Sequence, residues 1–456
     1  MYMQEYDVVV IGAGSAGMVA AGQASSMEAK TAITEKWKLG GDCPNRACIP
    51  TKALLHSAKL LSEFQKAESY GLKVANVGFD WTEVQAWKDK VVAERTYHES
   101  EETLKNQGID LRWGQTSFIS PTELKIGEET LKAKKIIICG GSQPNIFPID
   151  GLDQVGYITS NEAVDLKVLP KSIMIVGGGA VGLEFAQIFI RFGVKVDIFE
   201  AAPHIIPAAD AEAANGLQKY LDPQGIKFHI GAKVLKFEKE GDVKKATVDL
   251  GNGQTGEFKA EEIMMATGRK ADLEGLNIEA SGVKTYKRGI ETDDGLKTSV
   301  PHIYAAGDIT GVMQFTHMAT YQAIHAAYNA LSGKEPVKAD YRVVPWVAFC
   351  DPEIAGVGLT EEKLKEAGTK YNKSIFEMKN LGKTSTQAKY DGFVKILAEE
   401  GTNQILGAFI VGPEAGELIH QIVVAMVGKV SVDKIGKAIF AYPTWSEAVG
   451  SAAVDF

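Results

Sequence analysis

The sequence predicts an α/β protein: two parallel-sheet units built on a strand–turn–helix pattern, followed by an α+β domain at the C-terminal end. Three observations predict it. A glycine-rich turn joins an apolar strand to an Ala-rich or apolar helix at YDVVVIGAGSAGMVAAGQA, and again at SIMIVGGGAVGLEFAQIF. Each copy is followed by a second strand ending on an acid, eighteen residues after its third glycine, at Glu35 and at Glu200. From about Tyr341 the texture changes to short strand-like runs alternating with helix-like ones.

The elements follow in order. The strand Val8 to Ile11 meets Gly12, Gly14 and Gly17, then a helix, then KTAITE ending at Glu35. In the second copy the strand Ile173 to Val176 meets Gly177, Gly179 and Gly182, then a helix, then KVDIFE ending at Glu200. Such glycines let the backbone approach a pyrophosphate, the helix start offers N–H groups to it, and the acid accepts from ribose hydroxyls. One copy is a weak signal; two complete copies predict two Rossmann-like domains and two dinucleotides. Hydride transfer between a nicotinamide and a flavin is the chemistry that needs both.

The stretches KKIIICGGSQPNIFPIDG and EEIMMATGRKAD are apolar strands running into glycine turns, as domain crossovers require. HIYAAGDITGVMQFTHMATYQAIHAAYNAL reads as strand, Gly307-Asp308, loop and amphipathic helix. VPWVAF, GFVKILA and ILGAFIVG read as strands between the helices TEEKLKEAG and AGELIHQIVVAMVG, and predict an α+β domain with an exposed sheet suited to dimerisation. The expected organisation is a first dinucleotide-binding domain over 1–149 and 273–340, a second over 150–272 inserted in it, and an α+β domain over 341–456.

Composition agrees with a globular protein of several domains. The chain has 456 residues, 45% hydrophobic and 23% charged, with net charge −9. That balance argues against a general nucleic-acid surface or an anionic membrane as partner. No window reaches the ~18 uninterrupted apolar residues of a membrane span, and MYMQEYDVVVIGAG lacks the basic start of an export signal. Four cysteines are no disulfide framework, so a cytoplasmic address is expected.

Two of the four stand close together in GGDCPNRACIPTK, at Cys43 and Cys48. An unbroken helix would separate them by ~7.5 Å along its axis, beyond the span of a disulfide. If they are bonded, the segment between them is not regular helix. Pro44 suits a turn entering a helix, which would begin near Cys48 and run through TKALLHSAKLLSEF. A thiol at a helix N-terminus has a lowered pKa, and Arg46 adds positive charge. Two buried free thiols, or half of a metal site, are the alternatives; Cys139 and Cys350 are singletons and complete no zinc site. The position just after a dinucleotide fold favours redox work.

GGDCPNRACIPTK resembles the active-site stretch of the pyridine nucleotide-disulfide oxidoreductases, the FAD flavoproteins that include dihydrolipoamide dehydrogenase, glutathione reductase and mercuric reductase. The resemblance covers essentially the whole chain, and makes its three domains, in the order given above, the FAD-binding, NAD(P)-binding and interface domains. It implies that FAD lies on Gly12, Gly14 and Gly17 with Glu35 on its ribose and Gly41 beside it. It implies that Cys48 faces the flavin as a charge-transfer thiolate while Cys43 meets the acceptor. Lys52, paired with Glu184, would lie beside the flavin's reactive edge. Asp308 would hold the ribityl chain, and the backbone of His317, Met318 and Ala319 would cap the ring. NADH would lie on Gly177, Gly179, Gly182, Glu200 and Gly268. CDPEIAGVGLTEE and ILGAFIVGPEAGELI resemble the family's dimer interface and imply a homodimer. Glu200 repels a 2′-phosphate, and AAPHIIP after it has no Arg or Lys, so NADH is expected over NADPH, with His204 the one nearby group able to meet a phosphate.

The pattern breaks near the C-terminus. Thiol-reducing members carry His-Pro-x-x-x-Glu there, whereas this chain has Tyr442-Pro443-Thr444-Trp445-Ser446-Glu447. A phenol with pKa near ~10 is a poor base at neutral pH, and imidazole near ~6.5 a good one. Electron delivery to Cys43–Cys48 needs no such base, but turnover of lipoamide does, and weak lipoamide activity is expected. Mercuric reductase has a tyrosine at the corresponding place, and a soft metal ion bound by two thiolates needs no proton shuttle; yet GSAAVDF lacks the C-terminal cysteine pair of those enzymes. A metal-ion reductase, a quinone reductase and, in another class, a passive flavin-binding subunit are the alternatives. Smaller departures are Ala47 for a usual glycine, Cys139-Gly140-Gly141 for Ala-Thr-Gly, and Cys350 for a threonine, read as a small buried residue. Tyr442-Pro443 is expected to be cis, and His420, in an apolar helix, to be structural.

Overall fold

In a computed structural model, residues 4–251, 253–389, 391–454 and 456 are described. The chain forms two compact units. One comprises the chain through Ala53 with Ala86–Asn145 and Gly268–Asp340, and the other Leu54–Gln85, Ile146–Thr267 and Tyr341–Phe456.

The first unit is built on a seven-stranded sheet. Its parallel part sets Gln4–Ile11 between Thr31–Glu35 and Glu129–Ile138, with Asp110–Trp113 and Ile303–Ala305 outside them. Thr116–Ser120 and Glu123–Ile126 continue Glu129–Ile138 as an antiparallel meander. Val8, Val10 and Ile33 face one side with Ala16, Ala20, Ala24, Ala319, Ala323 and Ala327, while Val9, Ile11, Ile136 and Ile138 face the other. This period-two split of a continuous apolar run is what a strand covered on both faces requires. Alanine on the helices Ser15–Ser26 and Thr316–Leu331 lets the two pack closely. A Cβ on Gly307, at the turn after Ile303–Ala305, would lie 3.0 Å from Ala16 Cβ and 3.3 Å from Ala319 Cβ.

In the second unit, Lys227–Ile230, Lys195–Glu200, Ser172–Val176 and Glu262–Met265 form a four-stranded parallel sheet in that order. A three-stranded antiparallel sheet, Lys233–Glu240, Val243–Asp249 and Thr255–Ala260, accompanies it. The C-terminal sheet has the order Trp346–Ala348, Glu353–Gly358, Ile405–Gly412, Phe393–Glu399, Tyr371–Glu377, all antiparallel. This sheet is not exposed, contrary to expectation. Phe393, Leu397, Phe409 and Val411 pack with Phe185, Phe189 and Leu217, while Val394, Ile396, Ala408 and Ile410 pack with Leu418, Ile419 and Val449. Both faces of FVKILA and ILGAFIV are apolar, so both must be covered. Exposed apolar groups of this domain include Val424 and Val427 on the helix Ala415–Val427, with Ile439 and Tyr442. His420 lies on that exposed helix face.

Lys395, in the middle of this sheet, is fully buried. Its Nζ meets Asp210 Oδ1 at 2.8 Å, Glu361 Oε2 at 2.7 Å and Glu212 Oε2 at 2.9 Å. Burial opposes the Lys395 charge, but the three carboxylates outweigh it and hold its pKa above the ordinary lysine range. Burial likewise opposes the Glu361 charge, and hydrogen bonds from Lys395, Lys365 and Tyr371 outweigh it, holding Glu361 well below the usual carboxylate range.

Candidate functional site: two glycine loops and a dithiol

The two fingerprints fold alike. Gly12 has φ +94 and a Cβ there would lie 2.5 Å from Cys139 O; Gly177 has φ +111 and a Cβ would lie 2.4 Å from Ala266 O. A Cβ on Gly17 would strike Gly12 O at 1.7 Å, and one on Gly182 would strike Gly177 O at 2.0 Å. Those four glycines are required by the fold. The middle ones are not. Gly14 and Gly179 both have φ −75 with extended ψ. A Cβ on Gly179 would meet nothing within 4 Å, and one on Gly14 only Gly41 Cα at 3.9 Å. Neither conformation nor packing within the chain demands glycine there, which leaves close approach by a ligand as the physical reason.

The acids are also equivalent. Glu35 Oε2 accepts from Ala13 N at 2.7 Å and Oε1 from Trp37 N at 2.7 Å. Glu200 Oε2 accepts from Gly178 N at 2.8 Å and Oε1 from Ala202 N at 2.7 Å. Each buried carboxylate ties its strand end to its glycine loop.

The cysteine segment docks on the first loop. Gly40 N donates to Ala13 O at 2.8 Å. Gly41 has φ +64, and a Cβ there would lie 2.8 Å from Gly14 Cα, so this approach also demands glycine. Asp42–Arg46 makes one helical turn enclosing Pro44, Ala47 breaks it at φ −128, ψ −100, and a new helix runs Cys48–Gln65. The segment between the cysteines is therefore not regular helix, and the second helix starts at Cys48. Both cysteines are half-buried. Cys48 Sγ lies 3.5 Å from Thr316 Oγ1, at the start of the helix Thr316–Leu331. Cys43 is pushed far above the usual thiol range, chiefly by its hydrogen bond to Cys48, then by burial and by the negative charge of Cys48 and Glu99; Thr316 pulls the other way.

Lys52 is one turn beyond Cys48 on the same helix. Asp308 is a group the sequence located without its partners. Its Oδ2 accepts from Ser142 Oγ at 2.6 Å; Arg269 Nε donates to Ser142 Oγ at 2.7 Å and lies 4.0 Å from Asp308. Arg269 Nη2 pairs with Asp42, whose other oxygen pairs with Arg46 at 2.9 Å. Burial raises the Asp308 pKa and Asp42 adds to it, against Ser142 and Arg269. Arg269, Ser142 and Thr316 escaped the sequence reading because nothing local marks them. Gly268, assigned to the nicotinamide set, belongs to the first unit beside Arg269, with φ +96 and its carbonyl accepting from Asn145 N at 2.9 Å. The segment His317, Met318, Ala319 forms the first turn of Thr316–Leu331, with His317 exposed and stacked on Phe315.

In the second unit Glu184 is buried, and its Oε1 accepts from Phe349 N at 3.0 Å. Tyr442 is 77% exposed and its bond to Pro443 is cis. A Cβ on Gly382 would lie 2.4 Å from the Tyr442 hydroxyl. Glu447 Oε2 accepts from Thr444 N at 2.9 Å, closing the turn that carries Tyr442. Cys350 is buried as expected, and burial pushes the buried Cys139 up to about 12. Among the described residues there is no cluster of three or more His, Cys, Asp or Glu able to hold a metal ion, and no helix long and apolar enough to cross a membrane.

Paired dinucleotide loops with a thiol pair docked on one of them define a nucleotide-linked redox enzyme acting on or through sulfur. Residues 6–323 match the family described as pyridine nucleotide-disulphide oxidoreductase, and residues 344–453 match its dimerisation domain. The chain belongs to that family and is a flavoprotein disulfide oxidoreductase. It is 35% identical over 468 residues to a dihydrolipoyl dehydrogenase of Bacillus subtilis (strain 168), covering 99% of this chain and 98% of that one. It is 36% identical over 459 residues to the mitochondrial dihydrolipoyl dehydrogenase of Pisum sativum, covering 99% and 91%. Among solved structures, the HOCl-induced flavoprotein disulfide reductase RclA from Escherichia coli matches with TM-score 0.86 and 27% identity over 98% of this chain and 99% of that one. The Cu(II) complex of the same reductase matches with TM-score 0.87 and 26% identity over 99% of each chain. The family implies FAD and NAD(P)H, and the open approaches at Gly14 and Gly179 fit two such groups.

Proposed function

We propose that this protein is a homodimeric NADH-dependent reductase that passes two electrons through Cys48 and Cys43 to a small acceptor, with low activity toward lipoamide. The observation that carries it is the bonding of the cysteine loop to the first glycine loop through Gly40 N to Ala13 O. FAD, when bound on Gly12, Gly14, Gly17, Glu35 and Gly41, supplies the two-electron link between nicotinamide and disulfide. Cys48, with Thr316 at its sulfur, is the charge-transfer thiolate facing the flavin, and Cys43 is the outward thiol that meets the acceptor. The Ser142–Arg269–Asp42 chain holds the cysteine loop to Asp308, the residue assigned to the flavin's ribityl chain. Lys52 and Glu184 belong at the flavin edge, and the first turn of Thr316–Leu331 offers its N–H groups to the ring. Gly177, Gly179, Gly182, Glu200 and, from the crossover, Gly268 serve the nicotinamide dinucleotide. Glu200, held by Gly178 N and Ala202 N and followed by no Arg or Lys through Pro207, favours a ribose 2′-OH over a 2′-phosphate. Tyr442, the exposed residue where thiol-reducing relatives carry histidine, leaves the acceptor without an imidazole proton shuttle, and Glu447 shapes its turn.

A soft metal ion is the second acceptor class, favoured by Tyr442 and by the likeness to a reductase solved with Cu(II). The test is anaerobic reduction by NADH, followed by mixing with lipoamide, glutathione disulfide, Cu(II), mercuric ion or a quinone while flavin reoxidation is timed. Rapid bleaching by NADH is expected, with Cys48→Ser abolishing reduction of disulfides and metal ions. A Cys43→Ser, Cys48→Ser double variant that keeps every activity would end the proposal.

A further inference from the structure

Glu99, just past the helix Trp81–Thr96, is bound on one side only. Arg95 Nη1 holds its Oε1 at 2.8 Å. Its Oε2 is buried and has no hydrogen-bond partner. That oxygen fills the notch left by Gly40: a Cβ on Gly40 would lie 1.6 Å from it and 2.7 Å from Pro44 Cγ. Gly40 and Pro44 flank Cys43 in the loop, so the carboxylate is wedged against the segment that carries the outward thiol. Its side chain is 15% exposed, so solvent screens the charge weakly. An unpaired buried carboxylate oxygen costs stability, and its negative field reaches the Cys43 sulfur.

We propose that Glu99 is a specificity-determining residue of the acceptor site, whose charge turns anionic acceptors away from Cys43 and leaves neutral and cationic ones favoured. This rests on the assignment of Cys43 as the acceptor-facing thiol. A disulfide bearing carboxylates meets like charge beside the sulfur it must reach, while an amide or a metal cation does not. For one partly screened unit charge at this range, the discrimination is about 3- to 10-fold per unit of acceptor charge.

The test uses two alkylating agents that differ by one carboxylate. The full-length holoenzyme is reduced with a phosphine, so no nicotinamide step is involved, and is labelled with iodoacetamide or iodoacetate at low salt. Each reagent forms an S–C bond at Cys43 and releases iodide, and the rates are read by mass spectrometry. Their ratio cancels any change in the thiolate fraction. Glu99→Gln is expected to lower the iodoacetamide-to-iodoacetate ratio at Cys43 about 3- to 10-fold, an effect that shrinks at high salt. Arg95→Met, at an exposed position, removes the cation paired with Glu99 and is expected to raise the ratio, which keeps the test alive if Glu99→Gln does not fold. Glu94→Gln, on the exposed helix face, is expected to leave it unchanged. Ratios unmoved in both Glu99→Gln and Arg95→Met overturn the proposal. Failure of NADH to reduce the dithiol would strike the proposed function and leave this ratio readable.

Discussion

The middle and third glycines of the second fingerprint make a paired experiment. Gly179→Ala places a methyl where no atom lies within 4 Å, at φ −75 and ψ −179, a backbone that any residue adopts. Its effect on stability is expected within about 0.5 kcal/mol. Gly182→Ala places the same methyl 2.0 Å from Gly177 O and 3.2 Å from its carbonyl carbon, well inside contact distance of rigid backbone. Overpacking of that kind costs about 1–3 kcal/mol. In the space beside Gly179 a bound pyrophosphate is the only proposed neighbour, so the steric cost moves to binding: about 1–3 kcal/mol, or roughly 5- to 150-fold in Kd for NADH. Thermal melts of both variants, with NADH titration and the rate of flavin bleaching, separate the two effects. A Gly179→Ala protein that melts normally and binds NADH as tightly as the parent would refute the claim that this glycine is kept open for a ligand.

Two further outcomes are expected. Tyr442→His restores an imidazole and should raise lipoamide turnover by about 10²-fold or more, in the range typical of a general base, with NADH bleaching of the flavin unchanged; steady-state assays against both substrates check it, and unchanged lipoamide turnover removes the explanation. Lys395→Met takes the cation from fully buried Asp210 and one of the cations from Glu212 and Glu361, and should cost about 3–5 kcal/mol in chemical denaturation. The sign with pH follows from the shifts. The contribution of the depressed Glu361 is present above the unfolded carboxylate value of ~4.3 and is lost as pH falls toward its folded value; that of the raised Lys395 is present below ~10.4 and is lost as pH rises through its folded value. The parent cluster is therefore flat between about pH 5 and 10, whereas the variant, with buried Asp210 deprived of Lys395 while Glu361 and Glu212 keep Lys365 and Lys373, should gain stability as pH falls from 7 to 5.

Local features were legible in the residues alone. The two glycine loops with Glu35 and Glu200, the helix starting at Cys48 and the burial of Cys350 are set by residues within one turn or one strand–turn–helix unit, and each is where the spacing placed it. Tertiary structure decided the rest. Lys395 stands in the strand run GFVKILA, and nothing in that run shows that Asp210, Glu212 and Glu361, up to 185 residues away, converge on it. The C-terminal sheet reads as half-exposed until a second layer packs on its other face. Arg269 joins Asp42 and Ser142 from 227 and 127 residues away, Thr316 reaches Cys48 across 268, and Glu99 fills a notch at Gly40. Periodicity and spacing report which side of an element is apolar and where the chain turns; they carry no information about which distant charge will meet which, because that depends on how the elements pack.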